Sequence, residues 1–265
     1  MKKTYASVIT SLSKTISILE NNFPKKSKIL KHLQSSKSKK AFVIGITGSP
    51  GSGKSTLIAR LAKLMRQNRK KVAIIAVDPS SPKTGGAFLG DRVRMQDLTE
   101  DPGVFIRSMA SRGAKGGVAK TTQNVAILLS KSGYDFVLIE TVGAGQLDYE
   151  VTKFSDLTVL VLTPEAGDEM QFMKAGLREL VSLFVINKAD RPGAGKMEEL
   201  LKRSSEKGIT VFKTIAEQGK GIDELYEYIS SPLVRQKALA QSVPKRFVDE
   251  SRRVLWRMGE DQGGG

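Results

Sequence analysis

Glycine, lysine and serine fall in the octet Gly48-Ser49-Pro50-Gly51-Ser52-Gly53-Lys54-Ser55 at the spacing a phosphate cradle requires. Glycines permit the backbone conformations that turn successive N–H groups inward on an anion. A helix starting at the end of such a loop adds the positive end of its dipole. A lysine at position 54 can reach β- and γ-phosphate oxygens, and the hydroxyl of Ser55 can ligate Mg²⁺. Thr56 follows directly and is grouped with these nucleotide-binding residues. Every fixed position of the Walker A pattern is filled, with an apolar run, FVIGI, before it and a helical stretch, STLIARLAKLMRQ, after it. The octet therefore predicts a nucleoside triphosphate site rather than a bare Gly-rich turn. A second stretch, Lys115-Gly116-Gly117-Val118-Ala119-Lys120-Thr121-Thr122, imitates it, but Ala119 replaces the glycine before the lysine. No strong buried strand is expected to lead directly into it, so it reads as a loop entering a helix near the first site.

Hydrolysis needs a metal shell and a group that senses the γ-phosphate. The run FVLI ends in Glu140-Thr141-Val142-Gly143. This resembles the Asp-x-x-Gly that most GTPases carry after such a strand, with glutamate in the acid's place. The resemblance implies that Glu140 joins the Mg²⁺ shell, rather than being an ordinary strand-end acid, and that the Gly143 N–H meets the γ-phosphate. Gly143-Ala144-Gly145 is flexible enough to move when that phosphate leaves, and Gln146, next along, is a candidate to orient the attacking water. Another apolar run, VAIIAV, ends in Asp78, and a long polar loop then carries Asp91, Arg92 and Arg94. Asp78 at a strand end is a Mg²⁺-shell candidate. Asp91 fits that shell or the N-cap of the stretch DRVRMQDL. Arg92 and Arg94 fit the neutralisation of transition-state charge or ordinary surface ion pairs.

Asn187-Lys188-Ala189-Asp190 directly follows the apolar run LFVI and has the Asn-Lys-x-Asp pattern of guanine recognition. A carboxylate at Asp190 can accept from guanine N1–H and from its 2-amino group. Adenine has neither donor, so its complex would leave a buried carboxylate unpaired. Thr214-Ile215-Ala216 follows a further strand candidate, and Ala216 is the residue placed to present its backbone to guanine O6. GTP and GDP with Mg²⁺ are thus the expected ligands.

These residues need a scaffold that brings distant segments together. Apolar runs at 42–46, 72–77, 136–139, 157–162 and 183–186, with weaker strand candidates at 103–107 and 209–213, alternate with helical stretches at 54–67, 117–131, 168–180, 196–207 and 221–229. Near-continuous apolar strands separated by helices predict an α/β fold: a three-layer P-loop NTPase arrangement with a mostly parallel sheet. Ligands in such sheets bind beyond the carboxyl ends of the strands. Residues 4–35 predict two amphipathic helices broken at Asn21-Asn22-Phe23-Pro24, and 34–40 an exposed linker. Residues 231–258 predict a helical extension with a break near Pro244, in which Phe247, Val248, Val254, Leu255 and Met258 can form an apolar face. The expected organisation is an N-terminal helical extension and linker over 1–40, a nucleotide-binding domain over 41–230, and a C-terminal extension with a disordered tail over 231–265.

Composition narrows the function class. The 265 residues contain no cysteine, which excludes disulfides and thiolate metal sites, and their single histidine, His32, is expected at the surface. The formal net charge of +16 invites an acidic partner, yet only 6% of residues are aromatic and no stacking platform accompanies the lysines. A solvated basic surface is expected, with no nucleic-acid binding. Apolar runs are too short for a membrane span, and Met1-Lys2-Lys3 is followed by no apolar segment. No secretory signal and a cytoplasmic location are expected.

Together, DPSSPKTGGAFLGDRVRM, SRGAKGGVAKTTQNV, ETVGAGQ, AGDEMQFMKAG and NKADRPGA resemble the MeaB/ArgK group of P-loop GTPases over roughly residues 42–230. The resemblance implies a G-protein chaperone of an adenosylcobalamin-dependent acyl-CoA mutase, chiefly methylmalonyl-CoA mutase. Such a chaperone gates cofactor loading, protects or reactivates the mutase, and works as a homodimer. It further implies that Asp78, Asp91 and Glu140 surround Mg²⁺ and that Arg94 assists hydrolysis. One departure lies in the switch itself, where Leu147-Asp148 replaces the family's usual Ser-Glu. Two other readings fit a P-loop: a nickel-insertion GTPase, which the lack of Cys and His disfavours, and a nucleotide-binding regulator or kinase.

Overall fold

The computed structural model describes residues 5–21, 26–35, 40–78, 95–110, 117–141, 143, 146–165, 180–203 and 210–242. The apolar runs become seven parallel strands: β1 (Phe42–Thr47), β2 (Val72–Asp78), β3 (Val104–Ala110), β4 (Phe136–Glu140), β5 (Leu157–Leu162), β6 (Leu183–Asn187) and β7 (Val211–Thr214). Their order in the sheet is β3-β2-β4-β1-β5-β6-β7. β1, β4, β5 and β6 are buried along their whole length, as strands covered on both faces must be. The two weaker candidates are the two edges. β7 is only partly covered, and β3 extends beyond its apolar start through Arg107 and Ser108. Arg107 is satisfied from outside the sheet, by an ion pair with Glu20 and a hydrogen bond to Ser17.

Helices α1 (Tyr5–Glu20), α2 (Lys26–Ser35), α3 (Lys54–Gln67), α4 (Gln96–Thr99), α5 (Gly117–Ser130), α6 (Gln146–Phe154), α7 (Ala194–Arg203), α8 (Ile222–Ser230) and α9 (Pro232–Ser242) cover the sheet among the described residues. On one face α3 buries Leu57, Ile58, Leu61, Ala62 and Met65, a helical-period stripe, and α8 lies beside it through Ile222, Leu225 and Ile229. On the other face, Ile16 and Leu19 of α1, Val125 and Leu129 of α5, and Val151 of α6 pack onto Val43, Ile75 and Val137. α1 and α2 therefore contribute to this core through Leu12, Ile16, Leu19 and Leu33. The arrangement is the expected three-layer α/β fold. Close approach of α6 to the sheet depends on Gly45, where a Cβ would sit 2.6 Å from Ser155 Oγ and 2.8 Å from Val151 Cγ1. At the far end of the sheet the Arg235 guanidinium lies 5.2 Å and 5.1 Å from the ring centres of Phe42 and Phe136, fastening α9.

Several boundaries differ from expectation. Gln34 and Ser35 belong to α2, not to the linker, because the Ser35 hydroxyl and the helical ladder continue past the last apolar residue, Leu33. α7 starts two residues earlier than expected, at Ala194, which is buried. The expected helix at 168–180 falls almost wholly outside the described residues, as do the Pro244 break and the apolar residues that follow it. No described helix is long and apolar enough to cross a membrane. Because every strand runs the same way, the carboxyl ends of β1, β4, β6 and β7 bring Gly48, Glu140, Asn187 and Thr214 to one edge of the sheet.

Candidate functional site

The loop between β1 and α3 is shaped by glycine at the points where nothing else fits. Gly48 has φ +144°, and a Cβ there would collide with the carbonyl oxygen of Val161 on β5. Gly53 caps α3 at φ +90°, and a Cβ there would strike the Asn187 amide nitrogen. The first bond of the α3 ladder runs from Leu57 N to Gly53 O, at 2.9 Å. The amides of Lys54, Ser55 and Thr56 thus precede the ladder, the general condition for anion binding at a helix start. No acidic side chain occupies that first turn. Lys54 is buried, and its ammonium donates to Gly48 O at 2.8 Å and to Ser49 O at 3.0 Å. It is held over the loop that is to receive phosphate.

Beside it, Ser55 Oγ donates to Glu140 Oε1 at 2.6 Å, and both residues are buried. A hydroxyl and a carboxylate in contact form a hard-oxygen donor pair. Among the described residues no three His, Cys, Asp or Glu side chains converge. That donor set fits Mg²⁺, which takes one or two protein oxygens and completes its shell with phosphate and water. Asp78 ends β2 two positions beyond Ala76, the residue paired with Glu140, so its backbone lies at the same edge of the sheet. Its side chain, that of Gln146 at the start of α6, and the whole of Asp91, Arg92 and Arg94 lie outside the description. Gly143, at φ +83°, closes over the loop: a Cβ there would collide with Gly48 O and sit 3.2 Å from Lys54 Nζ.

The segment after β6 is hydrogen-bonded to the loop between β1 and α3. Asn187 is buried and donates from Nδ2 to Ser52 O at 2.8 Å. Its Oδ1 accepts from Thr214 Oγ1 at 3.0 Å and from Ala216 N at 3.1 Å. Lys188 adopts φ +57° and donates from Nζ to Gly51 O at 2.9 Å. Ala189 N donates to Thr214 O at 3.0 Å, which sets the turn that carries Asp190. Asp190 is exposed at the end of that turn. Pro50, Ser49 and Ser52 lie in the loop as expected, and Ser52 N closes a turn onto Ser49 O at 3.2 Å.

One residue escaped sequence reasoning: Arg60 of α3 donates from Nε to Ala216 O at 3.0 Å and from Nη2 to Glu217 O, fastening the Ala216 turn to the phosphate-loop helix, and no motif marks it. Asp148, marked in the sequence only as a departure within the switch, collects three hydrogen bonds beneath Gly143. His32 is exposed on α2, as expected. The second Gly-rich stretch contributes Gly117–Thr122 to the first turns of α5.

Asn187→Ala removes three buried hydrogen bonds at once and leaves Thr214 Oγ1 without its acceptor. The expected loss of stability is about 2–4 kcal/mol, read as a lower denaturant midpoint at unchanged slope. Nucleotide affinity should fall with it, because the loop at Ser52 loses its brace.

A family model described as "Methylmalonyl Co-A mutase-associated GTPase MeaB" matches residues 12–262. A relative from Pyrococcus abyssi is 41% identical over 256 residues, covering 92% of this chain and 79% of its own length. The mouse protein named "Methylmalonic aciduria type A homolog, mitochondrial" is 39% identical over 197 residues, 70% of this chain and 48% of the mouse protein. Among solved structures, the crystal structure of an LAO/AO transport system kinase superposes with a TM-score of 0.68 at 25% identity, covering 99% of this chain and 84% of that one.

Proposed function

The chain belongs to the methylmalonyl Co-A mutase-associated GTPase MeaB family, and from that premise we propose that it is a GTP-hydrolysing chaperone of an adenosylcobalamin-dependent acyl-CoA mutase. Methylmalonyl-CoA mutase is the partner that fits best, since the family model's description names it and the mouse relative's name refers to methylmalonic aciduria. The proposed task is to gate cofactor loading and to protect or reactivate the mutase. A cytoplasmic homodimer is part of the same reading.

One observation supports the guanine-nucleotide site above the others: Asn187 and Lys188 donate directly to the loop carbonyls of Ser52 and Gly51. Base recognition and phosphate binding are thereby parts of one rigid frame. In the proposed reaction the Lys54 ammonium leaves its loop carbonyls for the β- and γ-phosphate oxygens, where charge grows as the terminal P–O bond lengthens. Ser55 and Glu140, with Asp78 and Asp91, would hold Mg²⁺. When bound, that ion neutralises charge on the same oxygens. Gln146 orients the water that attacks the γ-phosphorus, and Arg94 approaches to spread the charge. The water's oxygen bonds to phosphorus, the bridging oxygen departs with GDP, and the water's proton ends on the released phosphate.

A nickel-delivery role gains nothing from the structure, because the chain has no cysteine and His32 lies alone and exposed. The test is GTP turnover with and without a reconstituted cobalamin mutase. A rise in kcat with the mutase, and capture of the mutase by this protein loaded with GDP or a non-hydrolysable GTP analogue, are expected. Unchanged turnover and no capture in either state would remove the chaperone reading and leave the GTPase.

A further inference from the structure

Asp148 stands in the first turn of α6 and is 2% exposed. A carboxylate so buried is tolerated only when donors surround it. Here three converge on the one oxygen Oδ1: Thr47 Oγ1 at 2.8 Å, Thr141 Oγ1, and Gly143 N at 3.3 Å. They come from three places that matter. Thr47 is the last residue of β1 before the phosphate loop, Thr141 follows the metal-side acid Glu140, and Gly143 lies over Lys54. The start of a helix adds its own preference for an anion.

The three bonds are not equivalent. Both hydroxyls belong to buried residues and anchor the carboxylate to the ends of β1 and β4. The amide bond is long, just beyond the usual range for N–H···O. If it is given up, Asp148 still has two donors, so no uncompensated buried charge results. Gly143, at φ +83°, occupies a conformation that glycine leaves and re-enters easily, and rotation of the peptide before it redirects the N–H. The position where its Cβ would stand is 3.2 Å from Lys54 Nζ, so Gly143 adjoins the ammonium proposed to hold the phosphates.

We propose that Asp148 is a positioning residue that competes with the γ-phosphate for the Gly143 amide and so sets how strongly GTP is preferred over GDP. The proposal rests on the reading of Gly143 as the γ-phosphate-sensing amide. One N–H meets two anionic acceptors and serves one at a time. Because Asp148 is part of α6, the exchange couples the γ-phosphate to the start of that helix.

The test compares affinities for GTPγS and GDP, with magnesium, in the wild type and two variants. Asp148→Asn keeps the shape, still accepts from the hydroxyls and weakens the hold on the amide. Its preference for GTPγS over GDP should rise about fivefold to tenfold, with GDP affinity held within about twofold. Thr141→Val removes a donor that shares Oδ1 and leaves a stronger acceptor for Gly143. Its preference should fall. An Asp148→Asn variant whose ratio stays level or falls, or that loses both nucleotides equally, would overturn the proposal. If that variant does not fold, Thr141→Val decides by the sign of its shift. A wild type that binds neither GDP nor GTPγS instead refutes the nucleotide-site reading, a separate outcome.

Discussion

Lys54→Ala should lose about 10³-fold in GTP affinity and bring turnover down to background. The size follows from charge and distance. An ammonium about 4 Å from a phosphate charge, at an effective dielectric near 20, gains about 4 kcal/mol, which is roughly 10³ in an equilibrium constant. Burial of Lys54 limits the water that could screen it. Glycine φ values fix the loop, and Asn187 and Lys188 brace it. The fold should survive. The bonds lost include those to Gly48 O and Ser49 O, two carbonyls at the mouth of the loop. Titration calorimetry with GTP and magnesium, beside a thermal melt, separates the two effects. A folded variant that turned GTP over at the normal rate would remove the phosphate-loop assignment.

That such a residue can be named before any coordinates exist reflects how chemistry constrains sequence. A phosphate cradle needs positive φ at Gly48, Gly51 and Gly53, a cation and a hydroxyl at adjacent helix-start positions, and a buried strand before them. Each demand fixes a residue type within eight positions, so the motif is readable. The central strands were readable for a similar reason, since burial on both faces leaves an unbroken apolar run. Edge strands have no such signature. β3 continues through Arg107 because a helix more than eighty residues upstream supplies the partner, with Glu20 at a separation of 87.

The illegible part of the site is its bracing. Asn187 was read as a base-recognition residue, yet its three bonds go to the protein, across separations of 135, 27 and 29 residues. Arg60 reaches Ala216 across 156 positions. Such pairings depend on which strands neighbour each other in the sheet, and no local pattern encodes that order. Ala216 shows the consequence: the acceptor for its amide, Asn187 Oδ1, comes from another strand, 29 positions away. Asp148 is the same case in the switch: the type is visible, while Thr47, 101 positions away, is what makes it functional.

Asp190→Asn carries the second large effect, on selectivity rather than on binding strength as such. Asp190 is exposed in a turn that its neighbours hold: Lys188 to Gly51 O, Ala189 N to Thr214 O, and Arg191 N to Lys188 O. The substitution therefore alters the hydrogen-bonding face of one side chain without disturbing the frame. An aspartate offers two acceptors to the two donors of guanine, N1–H and the 2-amino group. Asparagine offers one acceptor and one donor, so one pair becomes donor against donor once the base has displaced water. GTP affinity should fall by about 10²–10³-fold, because the mismatched polar groups are buried by the base and cannot both be satisfied. Xanthine keeps N1–H and has a carbonyl in place of the 2-amino group, a face that asparagine complements. XTP should therefore bind the variant more tightly than GTP, and the wild type less tightly. ATP should gain only the difference left by the weakened guanine contact, since its N1 acceptor meets the new amide while its missing 2-substituent meets nothing. Competition titrations of GTP, XTP and ATP against both proteins read all three ratios. An unchanged order of preference in the variant would mean that the base is read elsewhere than at the end of β6.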